Sequence, residues 1–118
     1  MQAQPTDLLV RLLGACETRA RVVSANIANS NTPGYVRQVV RFEELLGKEL
    51  ANGGDPALVA PEIQPDLETP ARPDGNNVSL DRETRLLAEN ALRFSVATSL
   101  ARSQLHSIQS AIEDGKSA

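Results

Sequence analysis

The sequence predicts a mainly α protein. Long N- and C-terminal helices are expected to pair as an antiparallel coiled coil, with an extended arm and a Pro/Gly-rich irregular insert between them. Two apolar stripes at four-three spacing predict the helices, and a dense run of prolines and glycines between residues 47 and 77 keeps them apart. The chain also has no Trp, one Tyr and two Phe. Aromatics supply much of the area of a compact core, so Leu, Val, Ile and Ala must do the packing here, as they do between helices.

The first helix is read from Leu9, Leu13, Cys16, Ala20, Val23 and Ile27, the a/d spacing of a coiled-coil seam. Leu8, Leu12, Ala15 and Val22 form a second stripe that widens the face. Thr6 or Asp7 can accept the free N–H groups at its start. Residues 1–30 therefore form the N-terminal coiled-coil helix.

Residues 31–46 are read as a turn followed by an extended arm. Thr32-Pro33-Gly34-Tyr35 places Pro and Gly at the central positions of a type II turn. From Tyr35 to Phe42 the pattern alternates, with Val36, Val40 and Phe42 on one side and Arg37 and Arg41 on the other. A short helical turn over Glu43-Glu44-Leu45-Leu46 ends the arm.

Residues 47–78 form the flexible insert. Pro56, Pro61, Pro65, Pro70 and Pro73, with Gly47, Gly53, Gly54 and Gly75, exceed what a helix interior or a central strand tolerates. The C-terminal helix occupies 79–114, with its stripe at Leu80, Thr84, Leu87, Ala91, Phe94, Thr98, Ala101, Leu105, Ile108 and Ile112. Ser79 is placed to cap it, and Asp81 and Glu83 complement the dipole of its first turn. Its length, roughly 50 Å at 1.5 Å per residue, is too great for a compact domain. Leu86, Val96 and Leu100 lie outside the stripe. The two apolar faces are thus wider than one helix pair needs, and the chain is expected to complete its core against other chains.

A chain of 118 residues sets a limit of one domain. The formal charge of -3 offers no basic face for nucleic acid. No basic stretch leads into an apolar one as in a secretory signal, and no apolar run approaches a membrane span. Cys16 and the only histidine, His106, are the sole nucleophile and base candidates. Cys16 lies on the seam, where a small thiol packs, and His106 lies off it. Asp81 with Glu83, and Asp66 with Glu68, are read as solvated acids rather than metal ligands. Asn77-Val78-Ser79 matches a glycosylation acceptor only at the level of chance. No enzyme, metal, cofactor or small-molecule substrate is expected.

The amides in Asn26, Asn29 and Asn31 exceed what a helix stop needs. Asn29 and Asn31 suit a helix end and the turn after it. Asn26 lies inside the last turn, where an amide can bond the backbone of a neighbouring strand or chain. The stretch reads as a rigid reversal that aims the arm away from the helices.

Ala25-Asn-Ile-Ala-Asn-Ser-Asn-Thr-Pro-Gly-Tyr35 resembles the motif of the bacterial flagellar axial proteins, the rod, hook and hook-associated subunits. Gly75-Asn-Asn-Val-Ser-Leu-Asp-Arg-Glu83, with Leu87-Ala-Glu-Asn-Ala-Leu-Arg-Phe94, is similar to the start of the C-terminal helix in the same family. The insert of roughly 30 residues is short for a hook or distal-rod protein and indicates a proximal basal-body rod protein. Arg37-x-x-x-Arg41-Phe42-Glu43-x-Leu45 points to the same group.

The resemblance implies a structural subunit, exported by the flagellar type III apparatus without a cleaved signal peptide, in the periplasmic rod of the basal body. Its partners would be copies of itself, other rod subunits, and the inner-membrane ring and rod-base adaptor. Asn26, Asn29, Asn31, Thr32, Pro33, Gly34 and Tyr35 would form the assembly turn. The two seams, Leu9 to Ile27 and Leu87 to Ile112, would form the intersubunit helical layer. The competing expectation is a soluble coiled-coil adaptor or export chaperone that binds a partner helix in a groove.

Overall fold

Three helices and a two-stranded sheet make up the computed structural model, which describes residues 5–117. Helix α1 spans Pro5–Ala28, strand β1 Gln38–Arg41, helix α2 Glu43–Ala51, strand β2 Glu62–Pro65 and helix α3 Leu80–Ser117. A 3-10 turn at Pro56–Leu58 precedes β2. The fold is mainly helical, and α1 packs on α3.

The two long helices run antiparallel, because Asn26 meets Glu83 while Cys16, further back along α1, meets Asn90. With 38 residues, α3 is about 57 Å long at 1.5 Å per residue, close to the sequence expectation. The radius of gyration is 18.6 Å, against about 13–14 Å for a compact chain of this length. The extents of 71 × 29 × 14 Å describe a thin rod. Beyond Gln104 every described side chain except Ser110 is exposed, so the end of α3 projects past its partner.

Which face of α3 meets α1 differs from the expected stripe. Glu83, Asn90 and Ala97 are buried at intervals of one heptad, and Gln104 continues their line. Leu87 and Ala101 are half-buried beside it. Ala91, Phe94, Leu105, Ile108 and Ile112 are exposed, as are Leu92, Val96 and Leu100. The physical reason lies in the hydrogen bonds. Asn90 donates to the Cys16 carbonyl at 2.8 Å and Glu83 accepts from Asn26 at 3.2 Å. These contacts turn the polar line of α3 towards α1, and the larger aliphatic side chains face outward.

On α1, Cys16 and Val23 are buried, while Leu9, Leu13, Ala20 and Ile27 are half-buried. Thr6 and Asp7 lie inside the first turn, because the described helix already includes Pro5. The apolar core is small: Ala15, Phe42 and Val59, with Leu12, Leu45 and Leu46 against them. Phe42 is fully buried and anchors the arm to α1. The expected helical turn at Glu43 extends through Ala51.

The insert holds more regular structure than its prolines predict. β2 pairs antiparallel with β1, with Gln38 opposite Pro65 and Arg41 opposite Glu62. Pro65 is tolerated because it ends the strand of a sheet with only one partner on that side.

Candidate functional site

The turn after α1, the arm, the insert and the first turn of α3 meet in a buried polar knot. Asn26 lies at its centre and is fully buried. Its Nδ2 donates to the Gln38 carbonyl at 2.9 Å and to Glu83 Oε2 at 3.2 Å. Its Oδ1 accepts from the Gln38 N–H at 2.9 Å and from the Tyr35 hydroxyl at 3.1 Å. One amide thereby closes the outer edge of β1 at Gln38 and ties it to both long helices. An Ala in its place would leave four hydrogen-bonding groups without this partner: the Gln38 N–H and carbonyl, the Tyr35 hydroxyl and the buried Glu83.

Arg37 is the charged counterpart. Its Nε donates to Glu83 Oε1 at 2.6 Å and its Nη1 to Asp66 Oδ2 at 2.7 Å. Glu83 is fully buried, and the side chains of Arg37 and Asp66 are nearly so. A buried carboxylate is costly unless paired and hydrogen-bonded, and Glu83 has both the guanidinium and the Asn26 amide. Asp66 Oδ2 accepts from the Thr69 hydroxyl at 2.6 Å, and its Oδ1 from the backbone N–H groups of Glu68 and Thr69. The Thr69 hydroxyl, the Arg37 guanidinium and those N–H groups hold the Asp66 carboxyl well below the usual carboxylate range.

Asn76 and Asn77 complete the knot. Asn76 donates to the Asn29 and Thr32 carbonyls at 2.8 and 2.9 Å, satisfying backbone at the end of α1 and in its turn. Asn77 accepts from the Arg37 N–H at 2.7 Å and donates to the Asp66 carbonyl at 2.9 Å. Arg72 donates to the Val78 and Ser30 carbonyls, both at 2.6 Å. Gly34 takes φ +75° in the Thr32–Tyr35 turn, as a type II turn requires. Gly75, at φ +84°, approaches it so closely that an added Cβ would lie 3.1 Å from Gly34 Cα.

Three sequence readings are corrected here. Arg37, placed on the polar side of the arm, is buried. Glu83 and Asp66, taken as solvated acids, are its partners. Ser79 does cap α3, accepting from the Arg82 N–H at 3.3 Å. Of the assembly-turn residues, Asn26 is buried, Asn29 and Tyr35 half-buried, and Asn31, Thr32, Pro33 and Gly34 exposed. Asn29 bonds locally, to the Ala25 carbonyl and the Thr32 hydroxyl.

Burial pushes the Cys16 thiol up, only partly offset by Arg19, which is the reverse of an activated nucleophile. Among the described residues no group of three or more His, Cys, Asp or Glu could hold a metal ion. Among the described residues no helix is long and apolar enough to cross a membrane.

The α1 side of the knot and the α1 residues leading into it fall within a family signature. Residues 15–35 match the model of the flagella basal body rod protein. The chain is 32% identical to the flagellar basal body rod protein FlgB of Yersinia ruckeri, over 82% of this chain and 85% of that one. The chain belongs to the FlgB family.

Other relatives agree. The FlgB of Escherichia coli K12 is 29% identical over 82% of this chain and 84% of its own. That of Borrelia hermsii is 29% identical over 91% and 94%. FlgB proteins are structural components of the basal-body rod, and the chain takes that class from the family. The stretch matched to the family model holds both Asn26 and the Thr32–Tyr35 turn, the α1 side of the knot. The α3 side, Asn76, Asn77 and Glu83, lies outside it.

Proposed function

We propose that the chain is a subunit of the proximal rod that polymerises through its terminal helices and transmits torque along the flagellar axis. The observation that carries this reading is the orientation of α3. Its line towards α1 is Glu83, Asn90 and Ala97, while Phe94, Leu105, Ile108 and Ile112 are about half exposed on a projecting helix. Large apolar side chains in such a row are costly in water and mark an interaction surface. In the assembly the accessible members of the seams, Leu9, Leu13, Ala20 and Ile27 with Leu87, Ala91, Phe94, Ala101, Leu105, Ile108 and Ile112, then join neighbouring subunits as a coiled-coil layer, while Cys16 and Val23 stay buried within the chain. The turn from Asn26 to Tyr35 sets the angle of the arm between them.

The reading places the chain in the periplasmic rod, delivered by the type III export apparatus. Its neighbours there are other rod subunits, the inner-membrane ring and the rod-base adaptor. An in-frame deletion in the source bacterium, imaged by electron cryotomography, tests it. Inner-membrane rings without a rod, and no motility, are the expected result. Intact rods and normal hooks in the deletion strain would contradict it and favour a soluble helix-binding adaptor.

A further inference from the structure

Two apolar surfaces on different faces of the chain complement each other. The first is on the insert. Burial alternates along β2 and the turn after it: Ile63, Pro65 and Leu67 are exposed, while Gln64 is half-buried and the Asp66 side chain nearly buried. Leu67 is 81% exposed and Ile63 54%. The row is held rigid, because Asp66 fixes the turn under Leu67 through the Glu68 and Thr69 N–H groups and is itself bonded to Arg37. β2 is paired on one side only, which leaves its other edge open. Glu62 and Glu68, both exposed, flank the row with negative charge.

The second surface is a groove of about 450 Å³ between α1, the start of α2 and α3, lined by Leu9, Leu12, Leu92, Val96 and Leu100. That volume lies in the range of sites that enclose a few apolar groups. Its polar lining is Glu43 and Arg93, which approach to 3.5 Å, and the buried Arg19 pairs with the same carboxylate at 2.7 Å. Nη1 of Arg19 is buried without a hydrogen-bond partner among the described residues. The groove is therefore aliphatic with a positive excess, and the insert row is aliphatic with acids at its ends.

We infer that the Ile63–Pro65–Leu67 row of one copy seats in the α1–α3 groove of a second copy. Within one chain β2 is committed to β1, so the contact is between molecules. Because the two surfaces differ, it is head-to-tail and propagates into a ring or an open filament rather than closing as a two-fold dimer. This deepens the rod-subunit reading, on which it rests, by naming a pair of faces that join neighbours.

The test uses the full chain in a Cys16→Ala background. One preparation carries Leu67→Cys and the other Val96→Cys, both at exposed positions, and a short bis-maleimide links them. Docking raises the local thiol concentration, so the Leu67→Cys and Val96→Cys pair should cross-link on the order of 100-fold faster than Leu67→Cys with a Gln109→Cys control. Glu68→Arg should slow the reaction, and Arg93→Glu in the other preparation should restore it. Equal rates with target and control overturn the inference. The rod reading stands or falls separately, on whether the deletion strain loses its rod.

Discussion

At the start of α3, Glu83 is fully buried and both its oxygens are bonded, one to Arg37 and one to Asn26. At the far end, Leu105 is 63% exposed and Ile112 55%. The same helix is thus finished within the chain at one end and exposed at the other. The division follows chemistry. Polar groups need partners at fixed distances and angles, so they are satisfied where turns can place them. Aliphatic groups need only contact, which a neighbour can supply in many registers. On the proposed rod reading, a subunit built this way would hold the angle of its arm by itself and obtain much of its hydrophobic stabilisation on assembly.

If that comparison is right, substitutions in the knot should destabilise the isolated chain, and substitutions in the projecting part of α3 should not. Arg37→Ala should have the largest effect, because it leaves the buried Glu83 and Asp66 without their cation. Urea denaturation should show a loss of about 3–5 kcal/mol, and a loss under about 1 kcal/mol would mean that the knot does not hold the fold. Asn26→Ala should follow at about 2–3 kcal/mol, since Tyr35, Glu83 and both backbone groups of Gln38 lose a partner. Gly75→Ala should cost about 1–2 kcal/mol from the left-handed backbone alone, with the close approach to Gly34 added. Wild-type stability in that variant would show that the two turns need not touch.

Acid sharpens the comparison. The folded Asp66 carboxyl titrates well below its ordinary 3.8, so its contribution is present above that value and is lost as pH falls below it. Proton uptake should therefore loosen the insert first. Protection of the Glu68 and Thr69 amides, relative to their intrinsic exchange rates, should fall below about pH 4 in the native chain. In Asp66→Asn it should be low already at neutral pH. Unchanged protection through this range would remove Asp66 from the account.

Much of the architecture was legible because it rests on period and punctuation. The four-three stripes located α1 and α3, and Pro33-Gly34 located the turn, whose Gly34 has the required positive φ. What periodicity could not give was the rotation of α3. Its large aliphatic stripe is the stronger signal, yet Glu83, Asn90 and Ala97 occupy the face towards α1. A clue was present in their spacing, since a Glu, an Asn and an Ala recur one heptad apart. Arg37 and Asp66 were not readable, because they are 29 residues apart and are joined only by the β1–β2 pairing. The paired amides Asn76-Asn77 offered a better signal, mirroring the amide cluster of the first motif across the knot.

The central claim is that the outward stripe of α3 is free in the soluble chain and covered in the rod. Thiol labelling of Ile108→Cys, in a Cys16→Ala background, compares the two states directly. The account predicts rapid labelling of the purified chain and protection of the same position in isolated basal bodies. Equal labelling in both would contradict it.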